Sequence, residues 1–214
     1  MRLATQVKHI IFDFDGVLAE TNDIRIEGFR ILFSAYPLTV QDALTCFVRA
    51  NGGLSRYFKI RHFFEQILAR PVSDEQVMEL AQKYSTIVKD NVVEAAAVKG
   101  SKEFLAKWAG NVDFAIISGS DEYELRSVCS LRGIAHFFEH ILGSPATKQE
   151  NFQRLFDATG WQRQHCLFIG DTTNDLNAAR AMGVPFLARS SGLENWVGSG
   201  ITVISDLTEL EEQL

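Results

Sequence analysis

The sequence is poor in cysteine and has fewer basic than acidic residues. Its three cysteines, Cys46, Cys129 and Cys166, are scattered, and none belongs to a CxxC pair. This pattern excludes a disulfide framework and indicates reduced thiols in a cytoplasmic protein, with the last two cysteines packed in the core. With 21 Lys and Arg against 27 Asp and Glu, the net charge is −6. The acidic balance disfavours nucleic-acid and membrane partners.

Long hydrophobic runs are also absent. No apolar stretch approaches the roughly 18 residues of a membrane-spanning helix, and residues 1–8 lack the apolar segment of a secretion signal. We therefore expect a cytoplasmic protein, with the oligomeric state open between a monomer and a homodimer. The 214 residues, 46% hydrophobic and 22% charged, are typical of a globular chain with one core and room for a small accessory domain.

Short apolar runs alternate with helical segments along most of the chain. Residues 9–14, His-Ile-Ile-Phe-Asp-Phe, have the composition of a buried strand. Comparable runs follow at Phe114–Ile117, Ile141–Leu142, Cys166–Ile169, Pro185–Ala188 and Thr202–Ile204. Helix starts are indicated by Ser120 before an acidic turn and by capping-box patterns at Thr147 and Thr172. The alternation predicts an α/β fold, with a parallel sheet covered by helices on both faces.

Residues 20–95 break this alternation, because they contain no convincing strand. They predict four helices, with breaks at Pro37, Gly52-Gly53 and Pro71. An all-helical insertion directly after the first strand predicts a small separate domain. The expected division is therefore a core of residues 1–19 and 96–214 and a helical domain of residues 20–95.

Carboxylates stand where two of the predicted strands end. Asp13 and Asp15 lie two residues apart and share a face if the strand persists, and Asp171 and Asp175 follow the strand from Cys166. Close carboxylates repel unless a cation neutralises them. Because ligands of open α/β sheets bind at the carboxyl ends of the strands, the four acids predict a Mg²⁺ site there. A turn at Asp15 and a helix cap at Asp171 are the alternatives.

Two further residues indicate an anion at the same edge. Ser118 follows the strand from Phe114 and precedes Gly119, which leaves backbone N–H groups accessible. Lys148 falls in the first turn of a predicted helix, where the helix dipole disfavours a cation unless an anion binds between them. A plain turn at Ser118 and a solvated surface lysine are the alternatives.

These segments together resemble the haloacid dehalogenase superfamily, whose members are mostly phosphatases. Its four motifs appear in order as Asp13-Phe-Asp15-Gly16-Val17, Ser118, Lys148 and Gly170-Asp171-Thr-Thr-Asn-Asp175. The helical insertion matches the cap of members similar to phosphoglycolate phosphatase and β-phosphoglucomutase. The resemblance implies a Rossmann-like core with residues 20–95 as its cap.

The resemblance also implies the chemistry. Asp13 would form an aspartyl-phosphate, while Asp15 would protonate the leaving group and then activate water. An acid at position 15 favours phosphoryl transfer over carbon–halogen cleavage, because a halide leaves without a proton. The remaining motif residues divide between two roles. Mg²⁺ would be held by Asp13, the Asp15 carbonyl and Asp171, with Asp175 as a further ligand or as an anchor behind the ligands. The phosphoryl oxygens would be held by Ser118, Gly119 and Lys148.

Substrate choice is expected from the cap. The segment Gly52-Gly53-Leu54-Ser55-Arg56 resembles the Gly-x-Ser-Arg loop by which related caps reach the active site. Ser55, Arg56 and Lys59 are therefore candidate specificity residues, with Arg25 as a further candidate. The alternative is a turn in which Ser55 caps a helix and Arg56 lies on the surface. The substrate implied is a small phosphorylated metabolite, a sugar phosphate or a phospho-hydroxy acid. A phosphosugar mutase and a non-catalytic binding module are the rival functions.

Overall fold

A computed structural model describes residues 7–214 and contains one sheet of six parallel strands. The spatial order is β3-β2-β1-β4-β5-β6. The strands are β1 His9–Phe12, β2 Asp113–Asp121, β3 Phe138–Ser144, β4 Cys166–Gly170, β5 Phe186–Arg189 and β6 Val203–Ile204. The predicted α/β fold with a parallel sheet is thus confirmed. The expectation that residues 1–8 hold no secretion signal lies mostly outside the described range. Within that range, no helix is both long and apolar enough to cross a membrane.

The chain between β1 and β2 begins with the predicted four helices. They are α1 Asn22–Leu32, α2 Leu38–Ala50, α3 Arg56–His62 and α4 Asp74–Glu94, with a π-helical turn at Phe63–Ile67 after α3. Pro37 precedes α2, and the Ser73 hydroxyl accepts from Gln76 N at the start of α4. Such a cap stabilises a helix by about 1 kcal/mol. We propose that residues 20–95 form the cap domain.

The other helices cover the sheet. They are α5 Ser101–Trp108, α6 Glu122–Leu131, α7 Lys148–Thr159 and α8 Thr173–Met182, with short 3₁₀ turns at Ala135–Phe137, Arg163–His165 and Leu207–Gln213. The capping boxes at Thr147 and Thr172 are confirmed. The helix start at Ser120 is wrong: β2 runs through Ser120, and the Asp121 side chain caps α6 by accepting from Glu124 N.

Both faces of the sheet are buried, as expected for parallel strands. Alternate residues of β1 point to opposite sides, so Ile10 and Phe12 join one apolar cluster and Ile11 joins another. Residues of α5 and α6 belong to the first cluster, and residues of α7 and α8 to the second. Cys129 and Cys166 are buried, as predicted. Since β1 lies between β2 and β4, the ends of these strands bring three of the predicted motifs together.

Candidate active site

Asp13 sits at the centre of the carboxyl edge of the sheet. Its backbone N–H donates to Ile169 O at 2.8 Å, which continues the β1–β4 ladder by one residue. Its side chain is almost fully buried, with Oδ1 accepting from Phe14 N at 2.6 Å. The other oxygen, Oδ2, lies 2.7 Å from Lys148 Nζ. The first turn of α7 therefore delivers an ammonium group to the carboxylate at the end of β1.

Two further carboxylates complete an acidic cluster. Asp13, Asp171 and Asp175 are all buried, and each offers an oxygen within 4.8 Å of the others. Asp175 binds Lys148 through Oδ1 and accepts from the Thr172 hydroxyl at 2.6 Å through Oδ2. Asp171 Oδ2 accepts from Asn22 Nδ2 at 2.7 Å. Asp175 is thus held on both oxygens by the protein.

The electrostatics of this cluster favour a divalent cation. Burial raises the pKa of Asp13 to about 8 against the opposing charge of Lys148, and Asp175 and Asp171 add to the rise. Burial and Asp175 likewise raise the pKa of Asp171 to about 7. When all three carboxylates are ionised, they leave two negative charges against the one ammonium of Lys148 in a buried site, which is why the pKa values of Asp13 and Asp171 rise without a cation. Oxygen ligands with that excess charge fit Mg²⁺.

The Asp15 carboxylate has different partners. Because β1 ends at Phe12, the extended geometry that would align Asp13 and Asp15 does not persist. Asp15 accepts from Arg25 Nε at 2.9 Å, the Thr21 hydroxyl at 2.5 Å and the Ser120 hydroxyl at 2.6 Å. Burial opposes ionisation, but Arg25 and these hydroxyls hold the pKa of Asp15 below its usual range. Its orientation is therefore fixed by α1 and β2 together.

Residues 51–55, which join α2 to α3 and are called the glycine loop below, lie directly on the motif residues. A Cβ at Gly119 would lie 2.2 Å from Gly53 O, so only glycine permits this approach. A Cβ at Gly53 would lie 2.8 Å from Thr172 Oγ1 and 3.3 Å from Lys148 Nζ. The loop therefore lies over the strand ends and leaves a small, partly open cavity of about 50 Å³ that Asp13 and Ser118 help to line.

The candidate cap residues separate into two groups. Arg56 and Lys59 are buried and line the cavity, as does Arg25. Ser55 does not line it, and its hydroxyl accepts from Phe58 N at 3.2 Å as the N-cap of α3. Arg56 is not a surface residue, because its Nη1 donates to Glu124 Oε2 at 2.7 Å.

Three residues that hold the site together were missed by sequence reasoning. Asn22 orients Asp171, and Glu124 binds Arg56. Arg189, at the end of β5, donates to Gly16 O at 3.1 Å and forms an ion pair with Glu20 at 2.5 Å. A polar residue at a strand end was the available signal for Arg189. Glu124 had only the ordinary signature of an acid in a first helical turn.

Comparisons with known proteins agree with this geometry. A family model described as haloacid dehalogenase-like hydrolase matches residues 10–189. The protein named Probable phosphatase IndB from Dickeya dadantii is 25% identical over 193 residues, covering 86% of this chain and 81% of that protein. Phosphoglycolate phosphatase from Pasteurella multocida is 24% identical over 199 residues, covering 88% of each chain.

Solved structures share the fold. CbbY from Rhodobacter sphaeroides, in complex with phosphate, superposes with a TM-score of 0.75 at 16% identity, covering 95% of this chain and 96% of that one. YfnB from Bacillus subtilis, bound to magnesium and described as revealing interdomain movement, has a TM-score of 0.68 at 19% identity, covering 97% and 98%. At these identities the structures bear on fold alone.

Proposed function

The chain belongs to the haloacid dehalogenase-like hydrolases and is a phosphatase of that family, and from this we propose that it hydrolyses a small phosphate monoester through Asp13 with bound Mg²⁺. The observation that carries the proposal is the buried contact of Lys148 with both Asp13 and Asp175. A carboxylate, an ammonium and an acidic pocket at one strand end are the parts that phosphoryl transfer needs.

The metal would be held by Asp13, Asp171 and the main-chain oxygen of Asp15. Asp175, whose oxygens are engaged by Lys148 and Thr172, acts as the anchor that positions Lys148. When bound, Mg²⁺ would neutralise the excess negative charge and let an anionic phosphate approach an anionic nucleophile. YfnB, whose fold is similar, is described as bound to magnesium.

The remaining steps belong to the side chains. An Asp13 oxygen attacks phosphorus and the bond from phosphorus to the leaving oxygen breaks. Asp15 gives that oxygen a proton from the minor protonated form that its lowered pKa leaves. Asp15 then takes a proton from water, whose oxygen attacks the aspartyl-phosphate and releases inorganic phosphate. Ser118, the Gly119 N–H and Lys148 hold the phosphoryl oxygens throughout. Arg25, through its contact with Asp15, keeps the proton carrier oriented.

The substrate proposed is a phosphorylated hydroxy acid or sugar. The small volume of the cavity supports a compact leaving group, and several relatives are named phosphoglycolate phosphatase. The glycine loop, lying on Gly119 and Thr172, must lift for a substrate to enter. The interdomain movement described for YfnB supports such an opening.

One assay separates the phosphatase from its rival, the phosphosugar mutase. The protein is incubated with Mg²⁺ and a hexose phosphate, and both free phosphate and isomeric sugar phosphate are measured. We expect stoichiometric phosphate release without isomer. An isomer formed faster than phosphate would instead establish the mutase. Failure to release phosphate from any ester, including an aryl phosphate, would overturn the proposed function.

A further inference from the structure

Glu124 does not line the cavity above Asp13, but it binds two arginines that do, and the proposed reaction does not use it. It is 4% exposed and accepts from Arg25 Nη1 at 2.5 Å and from Arg56 Nη1 at 2.7 Å. Burial opposes its charge, but the two arginines lower the pKa of Glu124 to about 2, so it is ionised at neutral pH. One carboxylate on α6 therefore binds an arginine from α1 and another from α3.

Both arginines have further protein partners. Arg25 Nε lies 2.9 Å from Asp15 Oδ1. Arg56 donates to the Ser85 hydroxyl, and its Cζ lies 4.8 Å from the centroid of the Tyr84 ring. Guanidinium groups fixed on several sides have little freedom to reorient toward a ligand. The charges of Arg25 and Arg56 are thus matched by Asp15 and Glu124.

Lys59 differs from both arginines. It is 7% exposed and lines the same cavity, yet among residues 7–214 its ammonium has no hydrogen-bond or ion-pair partner. Its Nζ lies 5.9 Å from the centroid of the Phe29 ring. A buried cation without a partner is costly, so it indicates a ligand that brings a negative charge. Arg25 Nη2 is a buried atom with no hydrogen-bond partner among the described residues, and it offers a second donor at this wall.

The cap side of the cavity consequently carries one positive charge in excess. Arg25 and Arg56 form their ion pairs with Asp15 and Glu124, whereas Lys59 forms none among residues 7–214. Building on the phosphatase reaction proposed above, we propose that Glu124 determines substrate specificity. By neutralising the cap arginines it restricts the site to an ester whose leaving group carries a single negative charge, such as a carboxylate, which Lys59 binds.

This charge balance makes opposite predictions for two variants. Glu124→Gln leaves two positive charges uncompensated and favours a leaving group with a second phosphate. Arg56→Gln leaves none and favours an uncharged leaving group. Combining the two substitutions restores a single positive charge, and with it the preference for a carboxylate. A purely structural role for Glu124 predicts no such restoration.

The experiment measures kcat/KM, with Mg²⁺ present, for three esters of similar size. The first is 2-phosphoglycolate, whose leaving group carries one carboxylate. The second is ethylene glycol monophosphate, whose leaving group is uncharged. The third is ethylene glycol bisphosphate, whose leaving group carries a second phosphate. The proteins are the wild type, Glu124→Gln, Arg56→Gln and the double variant. Glu103→Gln, which removes an exposed carboxylate from α5, is the matched control.

We expect the wild type and the control to prefer phosphoglycolate by about tenfold over either other ester, as one buried charge contact allows. Glu124→Gln shifts the preference toward the bisphosphate by about tenfold, and the double variant returns it to phosphoglycolate. Equal losses on all three esters, or no return in the double variant, would overturn the role of Glu124. Phosphate release without any charge preference overturns this inference alone, whereas no release from any ester overturns the phosphatase itself.

Discussion

Lys148 Nζ lies 2.7 Å from Asp13 Oδ2, with both side chains almost completely buried. These residues are 135 positions apart in the chain, and they meet because α7 begins beside the end of β1. The contact holds the Asp13 carboxylate in a fixed direction. It also keeps Lys148 charged, because Asp13 and Asp175 outweigh the effect of burial and raise the pKa of the lysine.

Replacing the proposed nucleophile tests this arrangement directly. Asp13→Asn should reduce kcat for an aryl phosphate by on the order of 10³-fold or more, because an amide cannot form the aspartyl-phosphate. Asparagine keeps the shape of the side chain and removes one of three crowded carboxylates. The thermal midpoint should therefore be unchanged or higher, as measured by circular dichroism. Wild-type turnover in this variant would exclude Asp13 as the nucleophile.

Metal removal should be reversible and should register in stability as well as activity. EDTA is expected to abolish phosphate release, and excess Mg²⁺ to restore it.

Metal binding should also stabilise the fold. At a Mg²⁺ concentration about 100 times its Kd, binding stabilises the folded protein by about 2.7 kcal/mol. The inactive Asp13→Asn protein is a poor reference for the stabilisation by Mg²⁺, because the substitution itself removes one of the proposed metal ligands. Asp171→Asn and the exposed Asp42→Asn, compared by thermal unfolding with and without Mg²⁺, provide the matched pair. An equal magnesium shift in both would remove Asp171 from the metal site.

A single added methyl group at Gly119 should prevent the glycine loop from closing on the strand ends. In Gly119→Ala the new methyl would lie 2.2 Å from Gly53 O, so the loop cannot settle on the strand ends. We expect kcat/KM to fall by about 10²-fold, because a displacement near 1 Å has that effect on positioned groups.

The control for that variant is Gly133→Ala, whose Cβ would meet nothing within 4 Å although its φ is +71°. Alanine there strains the backbone and should destabilise the fold by about 1 kcal/mol while kcat/KM stays the same. Near-wild-type kcat/KM in Gly119→Ala would mean that the closed loop is not needed for turnover.

The unpaired Lys59 should destabilise the protein in a pH-dependent manner. Burial lowers its pKa to about 8 from an unfolded value of 10.5. The folded state therefore binds fewer protons than the unfolded state between these values, and stability rises with pH across that window. Below pH 8 the full cost is present, so Lys59→Met should raise the free energy of unfolding at pH 7 by about 1–3 kcal/mol.

Urea unfolding at pH 7 and pH 10 provides the measurement. The advantage of Lys59→Met over the wild type should shrink at the higher pH. Lys102→Met, an exposed lysine on α5, should show no such advantage at either pH. A gap between Lys59→Met and the wild type that is independent of pH would assign the gain to packing.

The sequence predicts which site residues lie close together wherever the order of the strands alone brings them together. Asp13, Asp171 and Ser118 follow strands whose carboxyl ends meet at one edge, so their approach could be predicted from the strand pattern. The alignment of Asp15 with Asp13 could not, since it depended on where β1 stops and on three partners contributed by α1 and β2.

The contacts of α1 and α3 with α6 could not be predicted from the sequence for a related reason. Glu124 meets Arg25 and Arg56 across separations of 99 and 68 residues. Whether these groups touch depends on the angles at which α1 and α3 approach α6, and no local pattern encodes those angles. An acid in the first turn of a helix is explained equally well by the helix dipole.

The central place of β1 also bears on how the protein is made. His9 pairs with Asp113 on one side and Cys166 on the other, so β1 leaves the ribosome well before either of the strands that flank it. Pairings of such long sequence separation slow folding. During synthesis, residues 9–14 are an apolar segment with two unsatisfied edges until β4 is complete, and only then does the carboxylate of Asp13 gain its surroundings. The segment that holds the proposed nucleophile is consequently the one with most need of protection from aggregation in the nascent chain.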